Sequence, residues 1–444
     1  MCWLSGPAGT GKTTVAHTIA EEYNKHRRLA ATFFFWRKTG DRDDINRVVA
    51  TLAWQLAANI PIVKERMEEA LQLNHESWAL FPRLSLEDQL SKLFVGRGPA
   101  AKVNPADANL IVIDGLDECA SHDGIVRLIN WLRKNKPPFR FLLTSRPEPD
   151  VKACFAYRRG DIEVLSLSLT ESKDDIRKYL VEEVEKIKQS HPEARRLSDW
   201  PSYSDIDKLV EQSEGLFVYA ALAVRCIGGR GYPKTLLKNV LKVRNGLDPL
   251  YSQVIEEASN WDHFDVVMGA LMYLRYSLPI DKFSEVVFTV NGEPLDPGDI
   301  CSALAGCHSI LAIPDDDTKA ITPYHASLRD FLVDQSRSKD LIYTPAMSHA
   351  QLMLGCLQAI TRAFNKGSHA PEYALISWHH HACLFLSTPG IHGELRGLKD
   401  EAVELIQKID LKWIKSWMTE ALCWAGAEYL TVELPLQLVR ESVI

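Results

Sequence analysis

The stretch GPAGTGKT at residues 6–13 decides how this fold begins. It fits the pattern G-x-x-x-x-G-K-[S/T], whose glycines let consecutive backbone N–H groups curl around a phosphate, while the lysine reaches the outer oxygens and the last hydroxyl faces Mg²⁺. An apolar strand predicted at residues 2–4 precedes it, and a helix predicted at residues 14–23 would point its N-terminus at the phosphates. The candidate nucleotide-binding residues are Gly6, Pro7, Ala8, Gly9, Thr10, Gly11, Lys12, Thr13 and Thr14. The sequence therefore predicts binding of a nucleoside diphosphate or triphosphate.

Outward from this loop, residues 1–168 alternate between strand and helix patterns. Apolar runs predict further strands at residues 29–36, 110–113, 139–144 and 162–167. Helical spacing predicts helices at residues 44–59, 61–73 and 86–95, and Asp44 is the predicted cap of the first of them. Such alternation is typical of an α/β domain, in which helices flank a parallel sheet. We therefore predict an α/β P-loop NTPase domain over residues 1–168.

The rest of the chain has an almost wholly helical pattern, and its first helices are predicted at residues 171–189, 204–212, 215–227, 234–243 and 248–258. We predict a helical domain at residues 169–260, a winged-helix-like domain at 261–340 and a C-terminal helical region at 341–444. The winged-helix prediction rests on two strand candidates, residues 309–313 and 319–324, that follow helices and precede a helix at 326–335.

Bulk composition excludes several classes of protein. A formal net charge of −7 argues against non-specific binding of nucleic acid. The nine cysteines form no C-x-x-C pair, which argues against a zinc knuckle and favours a reducing, cytoplasmic compartment. The most apolar window, residues 215–227, contains Arg225 and is too short to cross a bilayer, so we expect no membrane segment.

A second motif, LIVIDGLDE at residues 110–118, ends a predicted buried strand in acidic residues. Asp114 lies at the carboxyl end of that strand, where open α/β sheets place their ligands. In a P-loop protein such an aspartate holds Mg²⁺ opposite the loop threonine, so Thr13 and Asp114 are the metal candidates. Asp117 and Glu118 are the catalytic candidates, because they could complete the metal shell or polarise a water. A solvated acidic turn is the alternative.

Three further features concern arginine and histidine. Arg146 ends the predicted strand FRFLLTSR, where its guanidinium could reach a terminal phosphate or remain a surface group. His325, between a predicted strand and helix, is by itself typical of a structural residue. The triplet at residues 379–381 is not interpreted as a metal site, because consecutive helical residues point about 100° apart.

Together these segments resemble the NACHT family of STAND signalling P-loop NTPases, in its fungal, nephrocystin-type branch. The resembling segments are GPAGTGKT at 6–13, FFFWRKTGDRDD at 33–44, TLAWQLA at 51–57, IVIDGLDE at 111–118, FLLTSRPEP at 141–149 and YHASLRDFL at 324–332. The resemblance covers residues 1 to about 335 and fades beyond residue 340.

The resemblance implies an ATP/ADP switch with slow Mg²⁺-dependent hydrolysis, in fungal self/non-self recognition or innate-immunity-like signalling. It implies that Lys12 binds phosphate, that Glu118 assists hydrolysis and that Arg146 senses the γ-phosphate. It also implies that His325 touches the ADP β-phosphate and latches a closed form. The partners it implies are the nucleotide, further copies of the chain on activation, and an effector or sensor protein in trans.

The sequence also departs from that family. The helical domain reads Gly215-Leu216-Phe217 where the family has Gly-Leu-Pro near the base, and the chain starts one strand before the loop. We therefore expect a truncated fungal NLR-like protein. The alternatives are a conventional P-loop ATPase or kinase and a truncated, non-cycling interaction scaffold, and the motifs leave GTP open as the nucleotide.

Overall fold

A computed structural model gives the architecture of most of the chain. It describes residues 1–37, 42–73, 80–104, 109–156, 162–169, 172–289, 292–339, 341–342, 344–388 and 394–408. The chain divides into two compact units, Met1–Leu247 and Asp248–Ile444. The boundaries predicted at 168/169, 260/261 and 340/341 are finer than this division and stay predictions.

The first unit is built on a five-stranded sheet with the spatial order β2-β3-β4-β1-β5, in which all neighbouring strands are parallel. The strands are β1 Cys2–Ser5, β2 Leu29–Phe34, β3 Leu110–Asp114, β4 Arg140–Ser145 and β5 Glu163–Ser166. The predicted parallel α/β sheet is thus confirmed, with strand ends shifted by one or two residues. We call residues 6–13 the P-loop and residues 114–118 the acidic motif. Because β4 lies between β1 and β3, the segment that follows β4 lies between these two segments.

Helices connect the strands and cover both faces of the sheet. They are α1 Lys12–Lys25, α2 Ile45–Asn59, α3 Pro61–Leu73, α4 Leu86–Phe94, α5 His122–Asn135 and α6 Pro149–Ala156. Alternate side chains of β3 enter different cores: Ile111 and Ile113 pack in a large cluster that includes α2, α4 and α5, while Val112 packs with Ala16 and Ala20 of α1. This burial on both faces explains why the strands read as continuous apolar runs.

Side-chain caps set several helix starts. The Asp44 carboxylate accepts the N–H of Asn46 at the start of α2, as the sequence predicted, and Ser85 and Ser121 cap α4 and α5 in the same way. Helices α5 and α6 were not among the predicted elements. Both follow short loops after strands that were predicted, so the α/β alternation alone could have indicated them.

Four more helices complete the first unit and match the predicted helical segments closely. They are α7 Lys173–Ser190, α8 Tyr203–Gln212, α9 Phe217–Ile227 and α10 Pro233–Lys242. Helix α8 begins with a capping box between Ser202 and Asp205. Helix α9 buries Tyr219, which explains the strongly apolar window there, and among the described residues no helix is long and apolar enough to cross a membrane.

The second unit is mainly helical and carries one small hairpin. Its elements are α11 Leu247–Ala258, α12 Phe264–Tyr273, α13 Ile280–Ser284, α14 Pro297–Ala303, β6 Leu311–Ala312, β7 Thr322–Pro323, α15 Ala326–Val333, α16 Gln335–Ser338, α17 Pro345–Lys366, α18 Glu372–Leu386 and α19 Glu394–Lys408. The predicted hairpin is present, but its antiparallel strands are only two residues long.

The helix predicted at 326–335 ends early, at Val333. Asp334 has an extended backbone there and caps α16, because its carboxylate accepts the N–H of Ser336. The predicted C-terminal helices are present as far as residue 408, and the rest of that prediction lies outside the described residues.

Candidate functional site

The P-loop joins β1 to α1 at the carboxyl edge of the sheet. Gly9 and Gly11 have φ angles of +77° and +92°, which residues with a β-carbon rarely adopt, so glycine is required at these turns. The Lys12 ammonium donates to the carbonyl oxygens of Gly6 and Pro7, each at 2.8 Å. These two hydrogen bonds hold the start of the loop against the Lys12 side chain.

The Gly6 N–H donates to the Ser145 carbonyl at 3.4 Å, but the backbone donors that follow it differ. Within the described part of the chain, the N–H groups of residues 9–14 make no hydrogen bond to protein, whereas Val15, one residue on, donates to Gly11. Buried or half-buried N–H groups normally have partners, and a run of them at a helix N-terminus attracts an anion. This is the arrangement that the loop sequence predicted for a phosphate.

Asp114 and Thr13, the two metal candidates, are brought together. Asp114 is 2% exposed, its carboxylate accepts a hydrogen bond from Thr144 Oγ1 at 2.5 Å, and the Thr13 hydroxyl lies close enough to favour its ionised form. Burial raises the pKa of Asp114, and the two hydroxyl groups oppose that shift. A carboxylate beside a hydroxyl is an oxygen pair of the kind that Mg²⁺ prefers.

Thr144 is a site residue that the sequence reading did not single out. Its hydroxyl donates to Asp114 and accepts the N–H of Gly115 at 2.9 Å, so it fixes both the carboxylate and the turn that follows. Leu4 and Thr144 are paired in register between β1 and β4. The available signal was its place among the polar residues that end a predicted strand.

Glu118 lies in a short 3-10 turn, Leu116–Glu118, directly after Gly115. Burial raises the pKa of the Glu118 carboxyl, and the backbone N–H of Arg37, which donates to Oε2 at 3.1 Å, opposes the shift. The Arg37 guanidinium in turn donates to the Asp117 carbonyl at 2.9 Å. The predicted catalytic role of Glu118 stays a prediction. Arg37 was also missed, although it closely follows a predicted strand.

Asp117 and Arg146 form a two-point contact. Asp117 Oδ1 accepts the backbone N–H of Arg146 at 2.9 Å, and Oδ2 lies 3.0 Å from Arg146 Nε. Asp117 is 5% exposed and Arg146 is 25% exposed, so the carboxylate is the inner partner and the guanidinium the outer one. This geometry favours Asp117 as a positioning residue for Arg146, and its predicted catalytic role stays a prediction.

Lys12 shares this electrostatic neighbourhood. Burial lowers the pKa of its ammonium, and Arg146 adds to that effect, while the carboxylates of Asp117, Asp114 and Glu118 oppose it. The loop lysine, both predicted catalytic carboxylates and the predicted sensor arginine therefore lie close enough to influence one another.

His325 lies in the second unit and is the N-cap of α15. Its Nδ1 accepts the N–H of Ser327 at 3.1 Å and lies 2.7 Å from Ser327 Oγ, which is itself 3.1 Å from the hydroxyl of Tyr251. Capping gives this histidine a structural role of its own. Its predicted contact with a β-phosphate stays a prediction.

In the histidine triplet of α18, His381 has a structural role. His381 is fully buried, with Nε2 2.8 Å from the Tyr373 hydroxyl and Nδ1 2.9 Å from Nδ1 of His349. The Tyr373 hydroxyl also accepts the N–H of Arg275 at 2.9 Å. Among the described residues, no group of three or more His, Cys, Asp or Glu side chains could hold a metal ion.

Comparisons with known proteins reach part of the chain. Residues 1–146 match the family model described as Nephrocystin 3, N-terminal, so the chain is similar to nephrocystin 3 from β1 to the residue after β4. No curated protein matches the chain. The crystal structure of the Pyrococcus furiosus Hef helicase domain is similar to it with 14% identity and a TM-score of 0.19, over 58% of this chain and 59% of that one. A TM-score of this size carries no argument about the fold.

Proposed function

We propose that this chain is an ATP/ADP-binding molecular switch of the NACHT/STAND signalling type, with slow Mg²⁺-dependent hydrolysis. The observation that carries the proposal is the run of backbone N–H groups at residues 9–14 without a protein acceptor, next to the Thr13–Asp114 pair. The similarity of residues 1–146 to the nephrocystin 3 N-terminal segment supports the same reading.

We infer a role for each residue of the site. The loop N–H groups and Lys12 bind the phosphates, and Thr13 and Asp114 would hold Mg²⁺, which supplies positive charge to the phosphate oxygens. Glu118 accepts a proton from the attacking water, and Asp117 holds Arg146 toward the terminal phosphate. Only ATP offers that phosphate, so Arg146 distinguishes ATP from ADP.

Slow turnover suits a switch because one phosphate biases a two-state element. We extend the proposal to a helical domain at 169–260, a winged-helix-like domain at 261–340 and a C-terminal helical region at 341–444. We also propose that His325 binds the ADP β-phosphate, that ATP favours assembly with further copies of the chain and that an effector or sensor acts in trans. A cytoplasmic role in fungal self/non-self recognition or innate-immunity-like signalling completes the proposal, and these points rest on the family resemblance.

The test is a titration of the full chain with labelled ADP, ATP and GTP in Mg²⁺. We expect Lys12→Ala to weaken binding at least about tenfold, because a charge-assisted hydrogen bond to phosphate is lost. Lys25→Ala is the matched control, since Lys25 ends the same helix and, in the part of the chain that the structure describes, pairs with surface Glu22 at 3.4 Å. Equal binding by wild type and Lys12→Ala would overturn the site assignment, and steady-state turnover above about 1 per second would favour a conventional ATPase.

A further inference from the structure

The first turn of α9 touches the P-loop within the first unit. The backbone N–H of Val218, the second residue of α9, donates to the carbonyl oxygen of Gly9 at 3.1 Å. The first N–H groups of a helix have no acceptor within the helix, so they need one elsewhere. Here the P-loop supplies the acceptor. The helix and the loop are therefore joined by a hydrogen bond between two backbone groups.

The contact is tight as well as directional. A β-carbon on Gly9 would lie 2.2 Å from Val218 Cγ1, so only glycine leaves room for α9 at this distance. The turn that enters α9 is itself fixed, because Leu216 donates to the Ser213 carbonyl at 2.8 Å. Gly215 in that turn has φ +82°, and a β-carbon there would lie 2.0 Å from the Leu169 carbonyl oxygen. The turn of residues 213–216 therefore fixes the position of Val218 against the loop.

The Gly9–Thr10 peptide transmits this contact into the loop. In a trans peptide the C=O and the following N–H point in opposite directions. The Gly9 carbonyl points at α9, so the N–H of Thr10 points away from α9. That N–H belongs to the run of donors without an acceptor in the described chain, and the Thr10 side chain is held by its own bond from Oγ1 to the Pro7 carbonyl at 3.0 Å.

We propose that the Val218 N–H is a positioning group of the nucleotide site: it fixes the Gly9–Thr10 peptide so that the Thr10 N–H is aimed at a bound phosphate. The inference rests on the proposed function and deepens it. A peptide that is already oriented needs no ordering when the ligand arrives, which raises affinity. By thermodynamic linkage, a bound nucleotide tightens the bond between α9 and the loop by the same factor.

The test compares proline with alanine at two positions of the full chain. Val218→Pro removes the N–H that binds Gly9, whereas Val218→Ala keeps it and trims the side chain. Ser204→Pro and Ser204→Ala form the matched control, because Ser204 is likewise the second residue of its helix, α8, is exposed, and has an N–H without an acceptor in the described chain. Dissociation constants for labelled ADP with Mg²⁺ are measured for all four variants.

We expect Val218→Pro to bind ADP roughly three- to tenfold more weakly than Val218→Ala, the equivalent of one backbone hydrogen bond. Ser204→Pro and Ser204→Ala should differ by less than about twofold. Equal proline-to-alanine ratios at the two positions would overturn the positioning role. If wild type binds no better than Lys12→Ala, the proposed function fails instead, so the two failures are distinguishable.

A measurement on the wild-type chain does not depend on whether Val218→Pro folds. With selective ¹⁵N-valine labelling, hydrogen exchange at the Val218 amide should slow when ADP saturates the protein. Exchange that is unchanged or faster on ADP binding would contradict the proposal.

Discussion

Two regions carry conspicuous sequence motifs: the P-loop in the first unit and the histidine triplet in the second. They differ in whether their polar groups form hydrogen bonds within the protein. At the P-loop, the N–H groups of residues 9–14 have no protein acceptor in the described chain. In α18, His381 is bonded on both ring nitrogens, to His349 and Tyr373. A ligand site can therefore be recognised by hydrogen-bond donors that the protein leaves without an acceptor, and a structural cluster by donors whose bonds the protein itself satisfies.

The largest effect is expected for Glu118, and it tests whether the P-loop region is catalytic. Glu118→Gln should lower ATP hydrolysis by about 10²–10⁴-fold, the usual contribution of a general base, while ADP binding is retained. The amide oxygen still accepts the Arg37 N–H, so the local fold is preserved. Phosphate release under single-turnover conditions measures the effect.

Glu163→Gln is the control, because Glu163 is exposed at the amino end of β5, the opposite edge of the sheet from the P-loop. Hydrolysis by Glu118→Gln at the wild-type rate would remove Glu118 from the mechanism.

The second expected effect concerns stability. His381→Ala should lower the free energy of unfolding by about 2–4 kcal/mol, because it leaves a cavity and deprives His349 and Tyr373 of a partner. Burial raises the pKa of Tyr373, so its hydroxyl keeps its proton. Differential scanning calorimetry checks the loss of stability, and ADP affinity should change little.

His379→Ala is the matched control from the same triplet, since His379 is only half-buried, and it should cost less than about 1 kcal/mol. A large loss of ADP binding with little loss of stability in His381→Ala would break the comparison, because it would make the cluster functional.

The third effect tests whether Asp117 acts through Arg146. Arg146→Ala should reduce the preference for ATP over ADP by about tenfold, the value of a charge-assisted hydrogen bond. If Asp117 only positions Arg146, the double variant Arg146→Ala/Asp117→Asn should lose no more of that preference than Arg146→Ala alone. Additive losses, measured as the ratio of ATP to ADP dissociation constants, would give Asp117 an independent role.

The smallest effect is a pH dependence of stability. Burial raises the pKa of Asp114 in the folded chain above its ordinary value of 3.8, so ionising this carboxyl costs stability as the pH rises through the folded-state pKa. Asp114→Asn avoids that cost and still accepts the Thr144 hydroxyl. It should stabilise the nucleotide-free protein by up to about 1 kcal/mol at pH 7–8.

That gain should shrink as the pH falls and vanish where the wild-type carboxyl is protonated in both states. Thermal unfolding between about pH 3 and pH 8, a range that includes the ordinary aspartate pKa of 3.8, measures it. A gain that does not depend on pH would mean that the Asp114 charge is not what destabilises this edge.

Much of the fold was readable from local sequence. The apolar run of β3 ends at Asp114, and the helical spacing after Asp44 gave α2 with its cap, because strand burial and capping are encoded within a few residues. Helix α15 ended earlier than predicted, since the Asp334 carboxylate competes for a local N–H and starts a new turn. Its apolar spacing gave no sign of that competition.

Local sequence was enough to identify the loop, the Thr13 and Asp114 candidates and the strand–helix alternation that predicts a parallel α/β sheet, because each of these patterns lies within short segments of the chain. Only the tertiary structure decided that Thr144 donates to Asp114, that Asp117 holds Arg146 and that the Val218 N–H meets Gly9. Those contacts join residues about 29 to 209 positions apart, and they depend on strand order and on backbone groups that every residue shares. A motif specifies which chemistry is present, whereas the packing of distant segments specifies which groups remain open to a ligand.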